Sequence, residues 1–255
     1  HGKNSRWPDP RTSAVLDGDF DLIIIEDVHS QAFGQANLQA IADALEQGKG
    51  LMMVGGYYSF GPGGYRETPV DAALPIEMET FEKQEIGVEN PVRKMFHLDR
   101  ELTMQPTGSH PVTSISSAAT PWNDLPVLLG ANRFQGLKSF GKVLLETGKQ
   151  EPLLVSGQFG LGRVLAFAGD STWRWARMGH RVELRRFWRN SVLWMARRED
   201  LQQQDIWLRM DQRRIPPGVE LPFELGVDSL GSRVVAADDL RWEVKLVRRD
   251  AAAVA

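Results

Sequence analysis

Leu51-Met52-Met53-Val54-Gly55-Gly56-Tyr57-Tyr58-Ser59-Phe60-Gly61-Pro62-Gly63-Gly64-Tyr65 is the stretch on which the reading of this chain turns. Its first four residues are an apolar run too short for a helix, bracketed by Gly48, Gly50, Gly55 and Gly56. That pattern predicts a central strand of a parallel sheet, buried on both faces. In such sheets ligands collect outside the carboxyl ends of the strands. The turn that follows carries Tyr57, Tyr58 and Ser59 and then a glycine run, which holds a polar, aromatic-rimmed loop where α/β enzymes keep their nucleophiles. A chain turning sharply out of a strand also calls for positive φ, which Gly55 or Gly56 supplies without steric cost.

Working outward, Phe20 to Val28 (FDLIIIEDV) is a second apolar strand, ending in Glu26 and Asp27. Gln35 to Gln47 places Leu38, Ile41, Ala42 and Leu45 on one helical face, and Gly48 stops it. Strand, helix and strand make a right-handed β-α-β unit of the kind found in doubly wound folds. Further on, Lys142 to Glu146, Pro152 to Gln158 and Gly162 to Ala168 read as strands, with a tight hairpin at Gly160-Leu161. The last of them runs into Gly169-Asp170-Ser171-Thr172. A helix over Glu183 to Arg197 then turns Leu184, Phe187, Trp188, Ser191, Val192, Trp194 and Met195 toward the sheet. Arg177, Arg181, Arg185 and Arg189 fall on another, solvated face.

The fold class expected for residues 1–200 is therefore α/β, a mainly parallel sheet flanked by helices. Glu67 to Thr120 reads as an excursion of strands and loops beside it. Pro121 to Lys138 reads as a cover over the sheet, with Trp122 and Phe134 as packing groups. After residue 200 the pattern changes to alternation in Ile206 to Met210, Leu221 to Val227 and Leu240 to Val247. Residues 201–255 thus read as the opening strands of a truncated β-sandwich, since so few strands do not close one.

Composition narrows the functions. A formal charge of −3 and a pI near 6.0 carry no electrostatic footprint for nucleic acid. The absence of cysteine removes disulfides, thiolate metal sites and a cysteine nucleophile. The histidines at 1, 29, 97, 110 and 180 lack metal-ligand spacing, so no metal is expected. No cofactor is expected either: Gly61 is followed by Pro62 rather than the lysine of a phosphate loop, and Gly157 to Gly162 joins two strands instead of opening a helix. No run approaches the roughly 20 apolar residues of a spanning helix. The chain begins at His1 and reads as a soluble fragment excised from a longer protein, without membrane contact of its own.

The candidate ligand-binding residues are those at the strand ends and turns: Glu26, Asp27, Gly56, Tyr57, Tyr58, Ser59, Asp170, Ser171 and Trp173. Each also has a plainer role. Asp27 suits a turn, Ser59 can bond its own backbone, and Asp170-Ser171-Thr172 can cap the helix that follows.

The strand with its GGYYSFGPGGY turn, together with the later GRVLAFAGDSTWRW segment, resembles the glutamine amidotransferase-like domains of the class I amidotransferase superfamily. The resemblance is to the versions found in large bacterial envelope proteins that also carry von Willebrand factor type A modules, and it covers about Phe20 to Arg198. It implies a flavodoxin-like sheet, an immunoglobulin-like module after it, and a parent protein anchored in the bacterial envelope. Active members set a cysteine on the turn after a central strand and activate it with a His-x-Glu pair after a later one. Here those places resemble Tyr57, with Tyr58 as the neighbour a shifted alignment selects, and Asp170 and Thr172. Tyrosine is a poor nucleophile near neutral pH, and aspartate does not replace an imidazole tuned near 7. The expectation is a domain without the catalytic cysteine that binds a small polar ligand or a protein partner. The alternative is a hydrolase with Ser59 or Ser171 as nucleophile and Asp170, Glu26 or Asp27 as base. A third reading is a scaffold whose cleft is filled by Tyr57, Tyr58 and Trp173.

Overall fold

The computed structural model describes residues 20–86, 95–115, 122–199, 206–210 and 223–227. The chain divides into two compact units, residues 1–203 and 204–255. In chain order, the first unit begins with Leu22–Glu26 (β1), Ser30–Phe33 (α1), Gln35–Glu46 (α2), Gly50–Val54 (β2) and Pro69–Ala73 (α3). Five two-residue strands follow: Ile76–Glu77 (β3), His97–Leu98 (β4), Gln105–Pro106 (β5), Ala131–Asn132 (β6) and Gly136–Leu137 (β7). The pattern ends in Lys142–Glu146 (β8), Pro152–Phe159 (β9), Gly162–Phe167 (β10), Trp173–Arg177 (α4) and Arg181–Met195 (α5).

The main sheet has six strands in the order β1-β2-β10-β9-β8-β5. β2 lies between β1 and β10 and is parallel to both, with Glu26, Val54 and Phe167 level at one end. The sequence leads one to expect a mainly parallel sheet; the sheet is mixed, because β9, β8 and β5 all pair antiparallel. The cause is local. Gly160, at φ 55, and Leu161 close a tight hairpin between β9 and β10, and a hairpin fixes antiparallel pairing. β3 pairs with β7 and β4 with β6 as two small ladders beside the main sheet.

Because side chains alternate across a strand, β2 fills two cores at once. Met52 and Val54 join Leu165, Phe167, Trp175 and Phe187 on one face, and Leu51 and Met53 join Val164, Ala166, Ile41 and Leu45 on the other. α2 supplies the second face with the stripe its spacing predicts. α5 packs on the first, but its fully buried side is narrower than the apolar stripe: Phe187, Asn190, Ser191 and Met195 are buried, while Leu184, Trp188 and Trp194 are partly so. Asn190 is admitted because its side-chain amide donates to the Ser114 carbonyl at 2.9 Å. Trp122 packs edge-on to Trp175 and Phe187, as a packing group should, and Phe134 does the same to Phe60.

In the second unit, Ile206–Met210 (β11) and Phe223–Val227 (β12) form an antiparallel pair. The third expected strand, Leu240 to Val247, lies outside the described residues. Among the described residues no helix is long and apolar enough to cross a membrane.

The two-faced core makes a direct prediction. Met52→Ala and Met53→Ala, each emptying one fully buried site on opposite faces, should each cost about 3 kcal/mol in urea unfolding. A near-neutral result for either one would mean that its face is not a packed core.

Candidate functional site

Three chain segments leave the level ends of β1, β2 and β10 side by side: Glu26-Asp27, Gly55-Gly56-Tyr57 and Ala168-Gly169-Asp170. Gly55 continues the ladder one step past β2, its N–H donating to the Phe167 carbonyl at 2.7 Å. The approach is so close that a Cβ on Gly55 would stand 1.9 Å from the Ala168 carbonyl oxygen. Gly56 has a positive φ of 159, which side chains rarely adopt, and a Cβ there would also meet Asp27 Oδ1 at 2.5 Å. Contact calls for glycine at both positions, and the positive φ expected of the turn falls on Gly56.

Asn132, from β6, locks the turn. Its side chain accepts from the Gly56 N–H at 2.9 Å and donates to the Gly56 carbonyl at 3.0 Å, while its own N–H donates to the Ala168 carbonyl at 2.9 Å. Asp27 holds the other side at φ 47, in the left-handed region that aspartate tolerates better than most residues. Its Oδ1 accepts from the Tyr58 N–H at 2.7 Å, and its N–H donates to Ser59 Oγ at 3.1 Å. Ser59 Oγ in turn donates to the Val54 carbonyl at 2.6 Å. Phe60 follows at φ 55, an outlier for a bulky residue, buried against Phe134 with its N–H directed to Met53 sulfur at 3.3 Å.

Between these segments lies a cavity of about 220 Å³. Gly56, Tyr57, Asn132 and Asp170 line it together with the His97-Leu98-Asp99 segment and the chain from Leu129 to Ala131. Tyr57 is 47% exposed and its ring stands edge-on to His97, 6.0 Å between centroids. His97 is only 8% exposed and packs edge-on to Phe96 as well. The electrostatics are one-signed. Burial raises the Asp170 carboxyl above its ordinary range, the nearby Asp27 charge adds to the rise, and a hydrogen bond with Ser171 opposes it. Glu26 is raised by burial and then by the charges of Asp170 and Asp27.

Of the residues picked out from the sequence, Gly56, Tyr57 and Asp170 line the cavity, and Glu26 and Asp27 add their charge beside it. The others are placed elsewhere. Ser59 is fully buried, with its hydroxyl committed to the turn. Tyr58 turns its ring edge-on to His29, and Trp173 lies under the Arg177 guanidinium. Ser171 is buried and accepts from the Leu129 N–H at 3.0 Å, and Thr172 accepts from Trp188 Nε1 at 3.3 Å. These hydroxyls therefore tie α4 to neighbouring elements. Thr172, the residue before that helix, makes no side-chain cap bond, in contrast to the capping role its position invites.

His97, Asp99 and Asn132 were not legible as site residues. They are single polar residues in irregular stretches, brought in by the β4–β6 pairing, which sets His97 opposite Asn132. Among the described residues no three histidine, aspartate or glutamate side chains are arranged to hold a metal ion.

Asn132→Ala removes both bonds to Gly56 and should cost about 2 to 3 kcal/mol in chemical unfolding, because the partner groups lose buried hydrogen bonds. Glu82, 2% exposed, accepts from the Glu79 N–H beneath the glycine run. Burial raises its carboxyl from the ordinary 4.5, so its neutral form contributes stability that is present below pH 4.5 and lost as pH rises through the raised value. Glu82→Gln should therefore match the parent near pH 4 and gain on it toward pH 8, read as the difference in urea midpoints across a pH series.

Comparison with known proteins places this geometry. Two solved structures share the fold: "Cytoplasmic Protein STM1381" of Salmonella typhimurium LT2, 26% identical with a TM-score of 0.57 over 74% of this chain and 76% of that one; and "Cytoplasmic Protein STM3548" of Salmonella typhimurium, 22% identical with a TM-score of 0.57 over 74% of this chain and 77% of that one. No curated protein matches the chain. The model of one protein family matches residues 10–197, which takes in the sheet, the glycine turn and the cavity. The chain belongs to the family described as "putative glutamine amidotransferase".

Proposed function

We propose that this is an amidotransferase-like domain without glutaminase activity, whose crevice serves as a binding site for a small polar ligand. The observation that carries the reading is the identity of the residues at the crevice: Tyr57 on the turn after β2 and Asp170 after β10, around an open cavity. Those are the places where the resemblance implies a cysteine and a histidine, and the chain contains no cysteine at all. A thiolate and a base tuned near neutrality act as a unit, so losing both removes most of the rate acceleration. What remains is a concave site with a few convergent polar groups and perturbed carboxyls, which is the usual form of a ligand pocket.

A serine hydrolase draws less support, since the hydroxyls of Ser59 and Ser171 are buried and already bonded. On the same resemblance, the domain works inside a larger envelope protein of bacteria, with the β11–β12 segment opening an immunoglobulin-like module.

The test is an ammonia assay run beside a thermal-shift screen of small polar molecules. Ammonia from glutamine should not exceed the enzyme-free rate. At least one screen compound at 100 times its Kd should add about 2.7 kcal/mol of stability. Glutamine hydrolysis that disappears in Tyr57→Phe or Asp170→Ala would overturn the reading in favour of an enzyme.

A further inference from the structure

The cavity carries a charge pattern that goes beyond its being polar. Its charged side chains are Asp99 and Asp170, and Asp27 and Glu26 share the field at Asp170. Among the described residues no lysine or arginine lines it. The basic groups carried by adjoining segments point to other partners: Arg100 and Arg133 pair with Glu151, and Arg174 donates to the Val127 carbonyl at 2.7 Å. A concave site lined by one sign of charge concentrates the opposite sign and repels its own.

Two further observations say what kind of positive charge suits it. The carboxylates come from different elements, Asp99 after β4 and Asp170 after β10, and no three acidic or imidazole groups among the described residues are disposed as a metal cage. Carboxylates set around a cavity suit a protonated amine, whose N–H donors make charge-assisted hydrogen bonds to them. The lining is also aromatic, with the half-exposed Tyr57 ring edge-on to His97. An aromatic face attracts an organic cation through its quadrupole.

We propose that this cavity selects a small organic cation, a protonated amine, over neutral and anionic molecules of the same size. The inference rests on the reading of the cavity as a ligand site, and it sharpens that reading: a simple carboxylate such as butyrate meets Asp99 and Asp170 as like charges.

The experiment is calorimetric titration of the full chain with three probes of one size, n-butylamine, butyramide and butyrate, at low and moderate salt. The amine should bind measurably, more weakly at higher salt, with the amide and the acid at least tenfold weaker. Asp170→Asn and, separately, Asp99→Asn should weaken the amine about tenfold or more, the size of a lost hydrogen bond to a charged group. Both replacements are near-isosteric, and an unchanged melting profile certifies the fold. If butyramide or butyrate binds as well as the amine, cation selection is overturned while the ligand-site reading stands. If the amine binds equally to both variants and to Tyr57→Ala, the site is not this cavity and the proposal falls. If no probe binds and the thermal-shift screen is also silent, both readings fall together.

Discussion

At Gly55 two backbones come so close that only a hydrogen atom fits between Cα and the Ala168 carbonyl. That contact lets the Gly55 N–H reach Phe167 and carry the parallel ladder past the end of β2. The strand ends are level as a result, and the segments that leave them face one another instead of diverging. Asn132 then bonds both the β2 turn and the β10 end, so the cavity wall and the sheet edge are a single hydrogen-bonded body. Without a glycine there, Tyr57 and Asp170 would have no common space to line.

The same region concentrates strain and charge. Asp27 and Phe60 sit in the left-handed region on either side of the turn, at a cost of order 1 to 3 kcal/mol each, and both are held by surrounding bonds and packing. Burial first, and then the charge of neighbouring carboxylates, holds the protons of Glu26 and Asp170 more tightly than usual. Stability is given up here and recovered in the two cores that β2 serves. That distribution is common where a site demands geometry that packing alone would not choose.

Membership in the family described as "putative glutamine amidotransferase" sets the fold without setting the chemistry, since function resides in the groups a fold presents. In this chain the turn after β2 presents a tyrosine and the end of β10 an aspartate, with a histidine from a neighbouring two-residue strand.

The strands and the larger helices were legible in the residues, because burial on both faces forces continuous apolar runs such as Leu51 to Val54, and burial on one face forces the 3.6-residue spacing of Leu38, Ile41 and Leu45. The crevice was legible for the same reason, since polar residues at strand ends have only one edge to go to. Tertiary structure alone decided the rest. Whether Ser59 and Ser171 face a ligand or the backbone depends on bonds to Val54 and Leu129, and a hydroxyl's partner leaves no periodic trace in sequence. His97, Asp99 and Asn132 reach the cavity through a ladder of two residues on each side, too short to impose a pattern. Sequence records the demands of burial, which repeat along an element, while the site is assembled from single contacts between distant segments, which do not repeat.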